Sequence, residues 1–327
     1  MYPVKNTISL SVPDIRPPSP VIWSIMIPAY NCTAFLEETV KSVVGQFSDY
    51  SSVQVEVIDD CSTDANVEDV VRRAGKGKVS YYRQAANVGS LRNFETCIKR
   101  AKGKYVHLLH GDDKVKPGFY TKMETLLNAD DKIGAAFCRT SYIDDSGKYL
   151  FTQDAETNTE GVLNDILFRL GEHQRIETPS IVVRKSVYEH LGLFREVTYG
   201  EDWDMWIRIA ATYPIAYTPD VLAEYRRQAN GSITSQKILT AQNIYDLEHV
   251  MQLTRQYFPK EKVNAIQRKA KRYYAAYAIR TADKLWHSKQ HVKGAINQIK
   301  AAFHFSKNPV IILAAAKVLV KILIRYK

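Results

Sequence analysis

The 327 residues hold only four cysteines, Cys32, Cys61, Cys97 and Cys138, and no CxxC pair. That excludes a thioredoxin-type redox centre and a cysteine-ligated zinc site of ordinary spacing. Three of the four sit in or beside apolar runs that read as core, and a reducing cytosol is the expected setting. Glycine is sparse as well: Ala29-Tyr30-Asn31-Cys32-Thr33, which follows the first apolar run, contains none. A nucleotidyltransferase needs a glycine-rich phosphate loop there, which weighs against that class. Long apolar runs are missing. Residues 1–20 carry Asp14, Arg16 and five prolines where a secretory signal needs an apolar segment, and a disordered leader is expected. Residues 309–327 are mostly apolar, but Lys317 interrupts them too soon for a bilayer span of about 20 residues.

Charge of one sign is scarce in one half only. Residues 236–327 hold 18 Lys and Arg against 4 Asp and Glu, a net +14, which leaves the first 235 residues at −4 of the overall +10. A basic tail on a mildly acidic body argues against nucleic acid as the body's ligand and points to an anionic surface beside the tail.

What is present reads as an α/β fold. Residues 21–28 (VIWSIMIP), 53–58 (VQVEVI), 79–82 and 105–109 (YVHLL) are short apolar or β-branched runs, separated by helical patterns that include one after Thr33 and one over residues 90–101. Such alternation predicts a mostly parallel sheet flanked by helices, with ligands beyond the carboxyl ends of the strands. Further strands are expected at 133–138 and 180–184, and a helix at 201–212 with Trp203, Trp206, Ile207 and Ala210 on its apolar face. The expected organisation is a leader (1–20), a catalytic domain (21–235), a small helical domain (236–308) and a basic amphipathic helix (309–327). On that last helix Lys317, Lys321 and Arg325 share one face and Val318, Leu319, Ile322 and Leu323 the other, the pattern of an interfacial helix.

The polar clusters Tyr30-Asn31, Asp59-Asp60, Asn87 and Asp112-Asp113 all fall at or just after strand ends, so the fold gathers them on one rim. Adjacent carboxylates on a confined rim repel each other unless a cation neutralises them. Mg2+ or Mn2+ takes one or two carboxylates and fills its remaining positions with water and phosphate oxygens, so the implied substrate is a phosphate ester or diphosphate. An isolated Asp-Asp pair is equally a turn, and Glu201-Asp202 after Gly200 is equally a helix cap; their combination in one chain decides.

Ser24-Ile25-Met26-Ile27-Pro28-Ala29-Tyr30-Asn31, the loop Asp59-Asp60-Cys61-Ser62-Thr63-Asp64, Asn87-Val88-Gly89 with Arg92-Asn93, the stretch 105–113, Gly200-Glu201-Asp202-Trp203-Asp204-Met205-Trp206 and Glu224-Tyr225-Arg226-Arg227-Gln228 occur in this order. Together they resemble the inverting family 2 glycosyltransferases of GT-A fold, over residues 24–234. The resemblance implies a nucleotide-sugar donor bound by Pro28, Tyr30, Asp60, Asn87, Arg92 and Asp112. It further implies a Mg2+ or Mn2+ ion on Asp113 with Asp112, Asp202 as general base, and Arg226 or Arg227 at the leaving diphosphate. Two positions depart from the family pattern. His110 stands where an acidic residue is common, either as a ligand or as a space-filling ring, and Gln228 replaces a common histidine. The implied product is a glycan or lipid-linked glycan of the cell surface, made by a cytoplasmic enzyme peripheral to the inner face of the plasma membrane. The rival readings are a nucleotidyltransferase and a non-catalytic sugar- or membrane-binding protein.

Overall fold

A strand buried on both faces needs a near-continuous apolar sequence, and WSIMIPA, with Ser24 its one polar residue, supplies it: β1 (Trp23–Ala29) is buried at all seven positions. The computed structural model describes residues 20–227 and 233–325; the expected leader, Pro20 excepted, and Gln228 lie outside them. After β1 come α1 (Thr33–Val44), β2 (Val53–Asp59), α2 (Val67–Gly75), β3 (Ser80–Arg83), α3 (Ser90–Arg100) and β4 (Tyr105–Leu108). The sheet region continues with β5 (Lys114–Val115), α4 (Phe119–Asn128), β6 (Ala135–Ile143), β7 (Tyr149–Thr152), β8 (Gly161–Val162), α5 (Ile166–Glu172), β9 (Ile181–Arg184), α6 (Lys185–Leu191), α7 (Glu201–Thr212) and β10 (Ile215–Arg226). The remainder is helical: α8 (Ile233–Thr240), α9 (Gln242–Thr254), α10 (Lys260–Lys289), α11 (Val292–Phe305) and α12 (Pro309–Leu323).

The strands form one sheet in the order β3-β2-β1-β4-β9-β6-β10-β5, with β7 on β6 and β8 on β10. β3, β2, β1 and β4 are mutually parallel, as their alternation with helices predicts. Beyond β4 the sheet is mixed, because β9 runs antiparallel to both β4 and β6 while β10 is parallel to β6. β10 is a strand that the sequence hides. Pro219 and Asp220 interrupt its pattern, proline cannot donate to a ladder, and the register with β6 slips between Thr218 and Val221 and again before Ala223.

One sheet face packs α1, α2 and α4. On the other, a single apolar cluster runs from the sheet through α7 into α9–α12, with the rings of Trp203 and Tyr274 of α10 5.3 Å apart. The tail helix differs from expectation. Lys321, expected on an outward cationic face, turns back to Asp283 of α10 at 2.9 Å. Ile311, Ala315 and Val318 are buried, while Ile312, Leu313, Val320 and Leu323 are exposed. Apolar residues surround nearly the whole helix, so packing one stripe leaves another facing outward. Among the described residues no helix is long and apolar enough to cross a membrane.

Candidate active site

The rim begins where β1 and β2 end. The Asp60 N–H donates to the Ala29 carbonyl at 2.8 Å, the Asn31 N–H to Ser62 Oγ at 3.0 Å, and the Thr63 N–H to Asn31 Oδ1 at 2.8 Å. Pro28 is buried beneath this junction and Tyr30 stands out of it, 45% exposed. Asp59 is buried, its carboxylate accepting from the Ser62 N–H and the Tyr81 hydroxyl and paired with Arg83. Asp60, also buried, accepts the N–H groups of Val88 and Gly89 at 2.8 and 2.9 Å, while Asn87 Nδ2 donates to its carbonyl at 3.3 Å. Asp60 thus braces the 87–89 loop, where Gly89 takes φ +85° to start α3. Burial raises the Asp60 pKa and these two donors oppose it. Arg92 is half-exposed and ion-paired with Glu95 and Glu196.

The loop after β4 crosses the end of β1. The Gly111 N–H donates to the Pro28 carbonyl at 3.0 Å, and a Cβ on Gly111 would come within 2.7 Å of Cys32 Sγ, so only glycine allows this approach. His110, Asp112 and Asp113 then offer ligand atoms that all lie within 4.8 Å of one another. Asp113 is buried; its Oδ1 accepts the Arg226 N–H at 2.8 Å, and its Oδ2 has no hydrogen-bond partner. His110 stacks on Phe94, with Nδ1 3.9 Å from Asp113 Oδ2 and Nε2 also unpartnered. Burial and the Asp112 charge hold the Asp113 carboxyl well above its usual range. An unsatisfied buried carboxylate oxygen beside a second carboxylate is the environment that a hard divalent cation completes, so these residues fit one.

Arg226 corrects one expectation. Instead of facing a diphosphate, its guanidinium is enclosed, bonding the carbonyls of Asp112 (2.9 Å) and Asp144 (2.9 Å), Glu38 Oε2 (3.0 Å), and the Phe35 ring face. It staples the Asp112-Asp113 loop to α1. Arg227 is exposed, above the rings of Tyr142 and Phe151.

Asp202 sits in the first turn of α7. Gly200 precedes it at φ +90°, where a Cβ would come within 3.2 Å of Leu247 Cδ2. Its Oδ1 accepts the Trp203 N–H and its Oδ2 the Gln174 Nε2–H, both at 2.7 Å. Burial lifts its pKa to about 6, against these two donors. Glu201 is also raised, by burial and by the Asp202 charge. The segment before β9 adds two residues that the sequence patterns did not single out. One is Gln174. The other is Glu177, whose Oε1 accepts the Tyr142 hydroxyl at 2.6 Å and whose pKa burial and the Asp202 charge lift to about 7, against that hydroxyl and Arg227. Both lie in an irregular stretch without periodicity, and only their polarity beside the buried Ile176 hinted at them. Burial and the charges of Glu177, Asp113, Asp112 and Asp202 push the Tyr225 phenol well above the usual range.

Among solved structures of similar fold, Staphylococcus aureus TarS 1–349 in complex with UDP-GlcNAc superposes with a TM-score of 0.65 at 15% identity, covering 92% of this chain and 89% of that one. A mannosyltransferase from Pyrobaculum calidifontis in complex with GDP-Man and Mn2+ gives 0.58 at 16% identity, covering 91% and 80%. In sequence, a protein of Mycobacterium tuberculosis is 25% identical over 255 residues, 74% of this chain and 77% of its own length. A glycosyltransferase of Rickettsia typhi is 27% identical over 211 residues, 64% of each, so the match leaves about a third of that relative uncovered. The family profile described as Glycosyl transferase family 2 matches residues 24–192, from β1 through α6, and the chain therefore belongs to family 2 of the glycosyltransferases.

Proposed function

We propose that the protein transfers a glycosyl group from a nucleoside-diphosphate sugar to an acceptor hydroxyl with inversion at the anomeric carbon. The observation that carries this reading is the His110–Asp112–Asp113 cluster, where the buried Asp113 Oδ2 has no hydrogen-bond partner. Structures of similar fold hold UDP-GlcNAc, or GDP-Man with Mn2+, which supports the donor class.

The acceptor oxygen attacks the anomeric carbon as the bond from that carbon to the diphosphate oxygen breaks; the bonding pair leaves with the diphosphate. The acceptor's proton goes to Asp202, whose pKa of about 6 leaves it ionised near neutrality yet basic enough to receive it. Gln174 and the Trp203 N–H orient that carboxylate. Tyr30 and Pro28 border the nucleotide base, Asp60 and Asn87 shape the loop beside it, and Arg92 and exposed Arg227 add positive charge at the rim. Asp113 and Asp112, with His110, would hold Mg2+ or Mn2+, which when bound offsets the charge of the leaving diphosphate. The acceptor is a glycan or lipid-linked precursor of the cell surface, met at the inner face of the plasma membrane.

Asp202→Asn tests the reading. Transfer is expected to fall by about 10²–10⁴-fold, with calorimetric binding of UDP- or GDP-sugars in the presence of Mn2+ unchanged. Undiminished turnover in that variant overturns it.

A further inference from the structure

A helix that only packs on its own protein buries one apolar stripe and turns polar residues to water. α12 does otherwise. Opposite its buried Ile311, Ala315 and Val318, it presents Leu313 at 60%, Val320 at 50% and Leu323 at 80% exposure, flanked by Ile312 and Ile324. At 3.6 residues per turn these form one continuous stripe centred near Val320, unlike the single exposed apolar residues any surface carries. Lys317, exposed, is the charge beside it.

The surroundings specify what covers the stripe. From residue 284 onward the sequence has nine Lys and Arg and no Asp or Glu. Asp283, the last acid, already binds Lys321. Lys293 and Lys300 on α11 and Arg325 after α12 are exposed. A two-fold contact with a second copy through this stripe would set Lys317 and Arg325 against their own copies, and residues 284–327 hold no acid to offset them. An anionic bilayer matches both features, accepting the apolar stripe among its acyl chains and the cations at its phosphates.

We infer that α12 lies in the headgroup layer of an anionic membrane with Leu313, Val320 and Leu323 inserted, and that Lys317 and Arg325 reach lipid phosphates. The helix thus inserts by its apolar outward face and is not merely adsorbed through a cationic one. This names the surface on which the proposed transferase meets its acceptor, and rests on that reading for that step alone.

Flotation with vesicles of phosphatidylcholine, alone or mixed with phosphatidylglycerol, tests it on the full chain without donor. The wild type is expected to float with the mixed vesicles, and Leu313→Glu with Leu323→Glu to lower the bound-to-free ratio by about tenfold or more at unchanged melting temperature. Lys317→Glu alone should weaken binding to the mixed vesicles and leave the weaker binding to phosphatidylcholine unaltered. A wild type that stays unbound, or a double variant that floats equally, overturns the inference. So does a dimer in sedimentation velocity that the double variant dissociates without any flotation of the wild type, which assigns the stripe to a second copy. Donor binding and transfer to a soluble acceptor are read separately: a chain that floats without transferring sinks the transferase reading alone, and one that transfers without floating sinks this one alone.

Discussion

Replacing Gln174 with leucine isolates the electrostatics of the proposed base. Gln174 Nε2 and the Trp203 N–H are the two largest of the donors that oppose burial at Asp202, each at 2.7 Å, in a site where the pKa is lifted to about 6. A hydrogen bond to a charged group contributes about 1.5–3 kcal/mol, and one pH unit corresponds to about 1.36 kcal/mol. Allowing for the partial exposure of Asp202, the loss of one donor raises its pKa by about one unit. The sign follows from the mechanism: the base acts ionised, so activity is lost as pH falls through its pKa. The acid limb of kcat/KM therefore moves from about 6 to about 7, and at pH 6 the ionised fraction drops about fivefold. Well above both values the two proteins converge, because Asp202 is ionised in each. Initial rates of nucleoside-diphosphate release at low donor concentration, measured across buffers spanning both limbs, give the profile. An acid limb that does not move refutes the assignment of Asp202 as the titrating base. A plateau lowered in addition to the shifted limb measures what Gln174 adds by orienting the carboxylate.

Asp113→Asn should abolish the thermal stabilisation that Mn2+ gives the wild type, and with it transfer, because it removes the charge of the buried group in the His110–Asp112–Asp113 cluster; a metal-induced shift of undiminished size would count against that cluster. Arg226→Met should lower the free energy of unfolding by about 3 kcal/mol, read from urea titration, since it strands the carbonyls of Asp112 and Asp144. If it loses donor affinity at unchanged stability, Arg226 contacts the diphosphate after all. Tyr30→Ala should weaken donor binding about tenfold in calorimetry through loss of base stacking, with no change in melting temperature, as its side chain is 45% exposed.

The parts of this architecture that were legible in the sequence are those where one local rule acts alone. β1 and β4 are mainly apolar runs, broken only by Ser24 and His107, and polar clusters at strand ends converge in any parallel sheet, so the rim holding Tyr30, Asp60 and Asp112-Asp113 follows from pattern and topology. Gln174 and Glu177 were not legible, because they precede β9 in an irregular segment and acquire their roles only when tertiary packing sets them against Asp202 and Tyr142. Arg226 shows the reverse case. Its motif suggests a phosphate contact, yet Glu38 and Phe35, nearly two hundred residues earlier, close over it. β10 escaped because Pro219 breaks its period. For α12 the spacing of Lys317, Lys321 and Arg325 was real, but Asp283 on another helix decides which way Lys321 points.

These long-range contacts tie the helical tail to the chemistry. The Gln174 N–H donates to the Tyr274 hydroxyl of α10 at 3.0 Å, and the Tyr274 ring packs on Trp203, the residue next to Asp202. Nine residues further along the same helix, about 14 Å at 1.5 Å per residue, Asp283 anchors Lys321 of α12. One helix therefore holds the residue that orients the base and the helix proposed to rest on lipid. Losing α12 removes a surface and leaves Gln174 in place. Losing α10 takes away the acceptor of a backbone N–H and the packing behind Trp203, so the base loses its orientation even though every residue of the rim is still present.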